Sequence, residues 1–168
     1  MRHLALALAA SSLTITGCAD NSTSATEAAA ENTQERNKRL AREFYENLWF
    51  TNNTQVYADY VADEYIVHDV GDRKGVTEAA IEQKNIADFF HSVSEMTGEF
   101  DYQIAEGDKV ATRWFLISKS NERGIAMGMG DVDRVAIINV FRFNEEGKIV
   151  EIWNHRHDVD LPMPPARD

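Results

Sequence analysis

The sequence predicts an α+β domain in which N-terminal helices pack on one face of an antiparallel sheet. Three observations lead there. Apolar residues recur at helical spacing through the first half of the chain, and from Gly98 onward they fall in strand-like runs divided by glycine-containing turns. All three prolines lie at 162, 164 and 165, so long elements run unbroken before them. Helices followed by a run of strands indicate an α+β arrangement rather than the parallel sheet of alternating βαβ units.

Asn32 followed by Glu35 reads as a capping box. Leu40, Ala41, Phe44, Tyr45 and Leu48 then share one face, which predicts an amphipathic helix to about Phe50. A short helix follows Thr54 through Val56, Tyr57 and Tyr60, and residues 64–68 read as a strand. Thr77 is the expected cap of a third helix, with Ile86, Phe89, Phe90 and Val93 on one face. Strands are expected over 100–105, 109–118, 132–143 and 149–158.

The 168 residues suffice for one domain with a real core. The expected organisation is a signal peptide over 1–17, a lipidated cysteine and flexible tether over 18–32, the folded domain over 33–160 and an irregular tail over 161–168. Arg2 supplies a positive start, and the apolar run from Leu4 to Leu13 is too short for a mature membrane span. Ile15-Thr16-Gly17-Cys18 resembles the lipobox of bacterial lipoproteins, in which the cysteine after the cut is acylated. An ordinary secretory signal with an incidental cysteine is the other reading. The lipobox resemblance implies a periplasm-facing protein, held to the cell envelope by acyl chains.

Cys18 is the only cysteine, so the domain has no internal disulfide, thiolate nucleophile or thiolate metal site. The formal net charge is −11, and loss of Arg2 with the leader makes it more negative still. Such a surface repels nucleic-acid phosphates and anionic headgroups. Gly-x-Ser-x-Gly and phosphate-loop motifs are absent, and Asp131-Val132-Asp133 is too short for a calcium loop. No cofactor and no metal are expected.

The most informative stretch is the hairpin VAIINVFRFNEEGKIVEIWNHRHD, Val135 to Asp158. A loop over 144–147 would set Phe143 against Lys148, Phe141 against Val150, Asn139 against Ile152 and Ile137 against Asn154. Alternation then gives one face Val135, Ile137, Asn139, Phe141, Val150, Ile152, Asn154 and Arg156. Apolar walls with a few directional polar groups are the usual composition of a small-molecule pocket. Structural asparagines satisfied by backbone are the competing reading. The other face carries Ile138, Val140, Trp153, His155 and His157, with Ile149 also assigned outward. His155 and His157 could ligate a metal only with a third ligand, and a surface or subunit-contact role is preferred for them.

This hairpin resembles the closing hairpin of SnoaL-like polyketide cyclases, in the nuclear transport factor and ketosteroid isomerase superfamily. Tyr65-Ile66-Val67-His68-Asp69, Gly107-Asp108-Lys109-Val110-Ala111-Thr112-Arg113-Trp114 and the helix order extend the resemblance over roughly residues 36–158. It implies a cone-shaped α+β barrel around one cavity for a small, largely apolar or carbonyl-containing ligand, and a homodimer through the sheet. The activity implied is that of a cyclase-like lyase or isomerase. In aldol-cyclase members an aspartate after the last-strand tryptophan is the acid/base, whereas here Trp153 is followed by Asn154. An amide transfers no protons at useful rates. His68 is then the best remaining proton carrier, with Asn154 and Asn139 holding a substrate oxygen, although a packing or surface histidine hydrogen-bonded to Asp69 is the preferred reading of His68 itself. Arg113, Trp114 and Arg156 complete the expected ligand-binding set, with snorkelling to the rim the other reading of Arg113, whose face the sequence leaves open, and a solvated edge charge that of Arg156. A non-catalytic, lipid-anchored binding protein is the alternative. The family's Gly-Thr-His-rich loop is replaced by residues 119–130, with Gly124, Gly128 and Gly130.

Two expectations from this reading are directly checkable. Cys18→Ser should move the protein from the membrane to the soluble envelope fraction, and unchanged retention would contradict the lipid anchor. Trp153→Glu should convert the dimer to monomers in sedimentation, whereas a wild-type chain already monomeric at high micromolar concentration would contradict the sheet-face dimer.

Overall fold

The computed structural model describes residues 22–68 and 75–155, with side-chain surroundings from Thr33 onward. Cys18, Asp69, Arg156, His157 and the 161–168 tail lie outside the described residues. The elements in chain order are α1 (Ser22–Phe44), a π-helical turn (Tyr45–Phe50), a 3₁₀ turn (Thr54–Val56) and α2 (Tyr57–Tyr60), followed by β1 (Val61–His68), β2 (Val76–Ala79) and α3 (Ile81–Val93). Then come β3 (Ser94–Glu106), β4 (Lys109–Ser120), α4 (Glu122–Ala126), β5 (Val132–Phe143) and β6 (Ile149–His155). Helices on a sheet is the expected α+β class. Among the described residues no helix is long and apolar enough to cross a membrane.

Two local expectations are corrected. The first helix begins at Ser22, so residues 22–32 are helical where a tether was expected, and Asn32 lies inside the helix instead of capping it. The reason is composition, because Ala25, Ala28, Ala29 and Ala30 are the best helix formers available. Thr77 is not a helix cap. It pairs with Ile66 in β2, after a turn in which Gly75 adopts φ 65°, and α3 starts only at Ile81. A β-branched residue suits that strand position.

The six strands lie in the order β2-β1-β6-β5-β4-β3. Four neighbouring pairs are antiparallel, whereas β1 and β6 are parallel. The sheet is therefore mixed and open, with β2 and β3 at its edges; helices pack on it as the expected cone-shaped α+β fold has them, and the parallel β1–β6 pair is the one departure from an antiparallel sheet. Topology explains this. The crossover through β2 and α3 carries the chain to the far edge, and three successive hairpins return it beside β1 in β1's own direction. Bulges at 100–102, 116–118 and 142–143 bend the long strands.

One side of the sheet faces the helices. Ala41, Phe44, Tyr45 and Leu48 from the first helix and its π-turn meet Tyr65 and Val67 of β1, Val110 and Trp114 of β4, Ile137, Phe141 and Phe143 of β5, and Ile149 and Ile152 of β6. Fully burying one such side chain stabilises by about 1.5–3 kcal/mol. No disulfide joins these elements, because the chain's one cysteine has no partner.

The β5–β6 hairpin has a different register from the one expected. Its turn is one residue longer, since Asn144 N–H donates to Lys148 O at 2.9 Å and Phe143 pairs with Ile149. Gly147 takes φ 82°, and Asn144 Oδ1 accepts from Lys148 N–H at 2.8 Å. A bulge at Val150 adds a second shift, so that Phe141 faces Ile152 and Asn139 faces Asn154. Each one-residue shift exchanges the faces, and two restore them. Ile149, between the shifts, turns inward and is fully buried, not outward as expected. Beyond the bulge, Ile152 and Asn154 keep the predicted face.

The segment over 119–130 forms the end of the β4–β5 hairpin and docks on α3. Asn121 caps α4 by accepting from Gly124 N–H at 3.0 Å, and its own N–H donates to Val93 O at 3.0 Å. A Cβ on Gly124 would lie 2.3 Å from Val93 O, so backbone contact requires glycine there.

Candidate functional site

The inner face of the sheet is built around Asn139. Its strand neighbours are Thr112 on β4 and Asn154 on β6. Asn139 is 7% exposed, and its Oδ1 accepts two hydrogen bonds, from Tyr45 Oη at 2.8 Å and Trp114 Nε1 at 2.9 Å. Tyr45 is delivered by the widened turn that ends the first helix, and Trp114 projects from β4. Phe141 stacks on Tyr45 with ring centroids 5.4 Å apart, and Phe100 meets it edge-on at 5.9 Å. Burial drives the Tyr45 hydroxyl well above its ordinary pKa, with a smaller opposing effect from the Trp114 side chain. Tyr45 is therefore a neutral phenol that donates to Asn139 and does not act as a base near neutrality. Beneath it, the buried Thr112 hydroxyl accepts from Gln103 Nε2 at 3.1 Å.

Asn154 differs from Asn139 in one respect. Its Oδ1 is shielded from solvent and accepts no hydrogen bond from the protein. An unpartnered buried acceptor costs about 1–3 kcal/mol, more than a typical hydrogen bond contributes when formed. Such an atom stands out in a core whose other solvent-shielded polar side-chain atoms, among the described residues, are hydrogen-bonded.

Of the expected site residues, Asn139, Trp114 and Asn154 are brought together on this face. His68 and Arg113 are not. Along β1 the core residues are Tyr65 and Val67, so His68 projects to the opposite face. There its ring stacks on Trp153 at 4.5 Å and 6°, and Nε2 lies 3.0 Å from Glu151 Oε2. Arg142 Nε donates to the other oxygen of Glu151 at 2.8 Å. Burial works to raise the Glu151 carboxyl, but the Arg142 and His68 contacts outweigh it and hold the group below its ordinary value. Arg113 alternates with the buried Thr112 and Trp114, pairs with Asp101 and lies 4.7 Å from the Phe115 ring centroid. Strand alternation is the reason for both corrections, because even and odd positions cannot share a face without a bulge. Arg156 lies outside the described residues.

Sequence reasoning missed Tyr45 as a partner of Asn139. The signal was available: a tyrosine in a buried helical stripe needs a hydrogen-bond acceptor, and an asparagine in a buried strand needs donors. Among the described residues no group of three His, Cys, Asp or Glu side chains could hold a metal ion. A cleft of about 550 Å³ lies at the turn end of the hairpin, lined by Arg36, Asn37, Asp108, Arg142, Phe143 and Asn144 among others. Neither Asn139 nor Asn154 lines it. Arg36 there is already engaged with Asn37 Oδ1 and Glu145 O.

The family model of the SnoaL-like polyketide cyclases matches residues 39–161. The chain belongs to that family. No curated protein matches it. Solved structures share its fold at low identity. A putative polyketide cyclase from Acidithiobacillus ferrooxidans is 18% identical, with TM-score 0.60 over 73% of this chain and 88% of that one. IdmH, a putative polyketide cyclase from Streptomyces antibioticus, is 17% identical with TM-score 0.57, covering 72% and 91%. An LEH-like epoxide hydrolase from M. tuberculosis is 11% identical with TM-score 0.55, covering 73% and 84%. Within this SnoaL-like chain, the amides of Asn139 and Asn154 are the polar pair that the fold sets side by side on the helix-facing side of the sheet.

Proposed function

We propose that this SnoaL-like chain is a binding protein for a small, largely apolar molecule, held on the inner face at Asn154. The observation that carries the reading is the buried Asn154 Oδ1 without a protein partner. It stands where the family resemblance puts an acid/base aspartate. Around it the described inner-face groups include amides, the Tyr45 and Thr112 hydroxyls, aromatic rings and aliphatic side chains. An amide orients a ligand by hydrogen bonding but carries no proton between atoms. The histidine that would replace the missing aspartate is held against Trp153 and Glu151 on the other face. A cyclase or isomerase acting on a carbonyl compound is the reading suggested by the names of the structural relatives, and it needs an acid/base at Asn154; the carboxylate that shares the face of Tyr65 is Glu78 on β2, which accepts from Tyr65 Oη at 2.6 Å.

The same proposal puts the domain in the cell envelope, lipid-anchored at Cys18 and facing the periplasm, and pairs it through the outer sheet face around Ile138, Val140 and Trp153. The polar outer contacts of Arg142, Glu151 and His68 would flank that contact.

Native mass spectrometry of the gently purified chain tests the binding reading. A co-purifying small molecule is expected, with affinity reduced about fivefold by Asn154→Leu, the effect of losing one oriented hydrogen bond of about 1 kcal/mol. In parallel, the wild-type chain should not accelerate hydrogen–deuterium exchange next to the carbonyl of 2-tetralone. Catalysed exchange there would contradict the binding reading.

A further inference from the structure

The structure assigns a binding site for a carboxylate group to the cleft at the turn end of the β5–β6 hairpin. The assignment does not rest on the reading of Asn154, because neither inner-face asparagine lines this cleft. Its volume of about 550 Å³ falls in the range usual for small-molecule sites, about 300–1,000 Å³. Arg36 and Asn37 of α1 form one wall, Asp108 of the β3–β4 turn another, and Arg142, Phe143 and Asn144 of the hairpin the third.

Arg36 is the cation whose charge the fold leaves uncompensated. A guanidinium carries five N–H groups. Nε and Nη2 each donate to Asn37 Oδ1 at 3.2 Å, and Nη1 donates to Glu145 O at 3.2 Å. All three acceptor contacts are to neutral oxygens, and Arg36 makes no ion pair among the described residues. Arg142 is different, since it pairs with Glu151 and lies 3.9 Å from Asp108 Oδ2. One N–H on each terminal nitrogen of Arg36 stays available, and two such groups match the two oxygens of a carboxylate. A half-buried charge with only neutral partners gains from an opposite charge brought beside it.

The two asparagines of the cleft add donors. Asn37 is 1% exposed, and its Nδ2 has no acceptor among the described residues. Asn154 Oδ1 is the one solvent-shielded side-chain atom without a partner among those residues, so the unpaired Asn37 Nδ2 is not sealed off and meets the cleft. Asn144 accepts from Lys148 N–H through Oδ1, and its Nδ2 likewise donates to nothing among the described residues. Free donors around one uncompensated cation call for an oxyanion. Two acidic residues at the cleft limit its charge. Asp108 is held by Lys109 at 3.2 Å as well as by Arg142, and Glu145 stands at the exposed turn. A carboxylate's single charge matches the one uncompensated guanidinium, whereas the second charge of a phosphate monoester would meet Asp108 and Glu145 with no cation left for it. Phe143 gives the cleft an apolar flank for an organic body.

Titrations of the purified full-length chain at pH 7.5, followed by the backbone amide signals in nuclear magnetic resonance, test the assignment. The probes are benzoate and N-acetyldialanine, each beside its neutral amide, and phenyl phosphate. The two acids separate a small organic acid from a peptide end, and the one that binds more tightly names the source. At least one acid should shift the amides of Asn37, Gly107, Asp108 and Asn144 and bind about tenfold more tightly than its own amide, and phenyl phosphate should bind more weakly than benzoate. In Arg36→Gln the preference for acid over amide should fall toward one, and in Arg36→Lys, which keeps the charge but loses the planar fork, it should be intermediate. Equal binding of acid and amide, no binding at all, or shifts confined to other parts of the sheet overturn the site. A preference that persists unchanged in Arg36→Gln overturns the role of Arg36. Tighter binding of phenyl phosphate than of benzoate overturns the choice of a carboxylate. The comparison of probes on the wild-type chain stands even if a variant fails to fold.

Discussion

A buried carboxamide oxygen has two lone pairs to satisfy, and in this protein both are committed to one site. Tyr45 and Trp114 converge on Asn139 Oδ1 from a helix and a strand that are far apart in sequence. Each bond fixes a large ring, and those rings set the aromatic packing of Phe141, Phe100 and Phe50 around them. The bonds also orient Asn139, because an asparagine whose oxygen is held twice cannot flip. Losing either donor would leave a partly satisfied acceptor in the core, so the three residues hold one another in place. The π-helical turn at the end of the first helix belongs to the same arrangement, since it delivers Tyr45 over the sheet.

The hairpin supplies the second constraint. A turn one residue longer than its sequence suggests, followed by a bulge at Val150, moves the pairing by two residues and so preserves the faces beyond it. Asn154 thereby arrives directly beside Asn139 and not one pair away. With a single shift instead, Asn154 would face outward with Trp153 inward, and the inner face would lose the one solvent-shielded side-chain oxygen that has no hydrogen-bond partner among the described residues.

Much of this was legible in the sequence because periodicity carries it. The amphipathic stripe of Ala41, Phe44, Tyr45 and Leu48 and the extent of β5 follow from spacing alone, and the inward asparagines follow from alternation. What was not legible depends on single residues. The bulge at Val150 has no sequence signature of its own. Placing Ile149 inward requires knowing the turn length, which Asn144 sets through its bond to the Lys148 N–H. Family resemblance sets His68 near the cavity mouth and leaves the face of Arg113 open, and strand parity puts both side chains on the other face. Residues 19–32 read as a tether because they are rich in Ala, Ser, Thr and Asn and lack apolar periodicity, yet from Ser22 the backbone is helical, as the alanines favour. The partnership of Tyr45 with Asn139 spans 94 positions, and no local pattern announces it.

Hydrogen exchange at the indole Nε1–H of Trp114, followed by nuclear magnetic resonance, bears most directly on the central role of the Asn139 oxygen. If that oxygen organises the core, the Trp114 indole proton should exchange only when the sheet opens, as slowly as the backbone amides of β4 and β5. It should be slower by orders of magnitude than the indole proton of the half-buried Trp153. Exchange of Trp114 at the rate of Trp153, with the β4 and β5 amides still protected, would contradict the account.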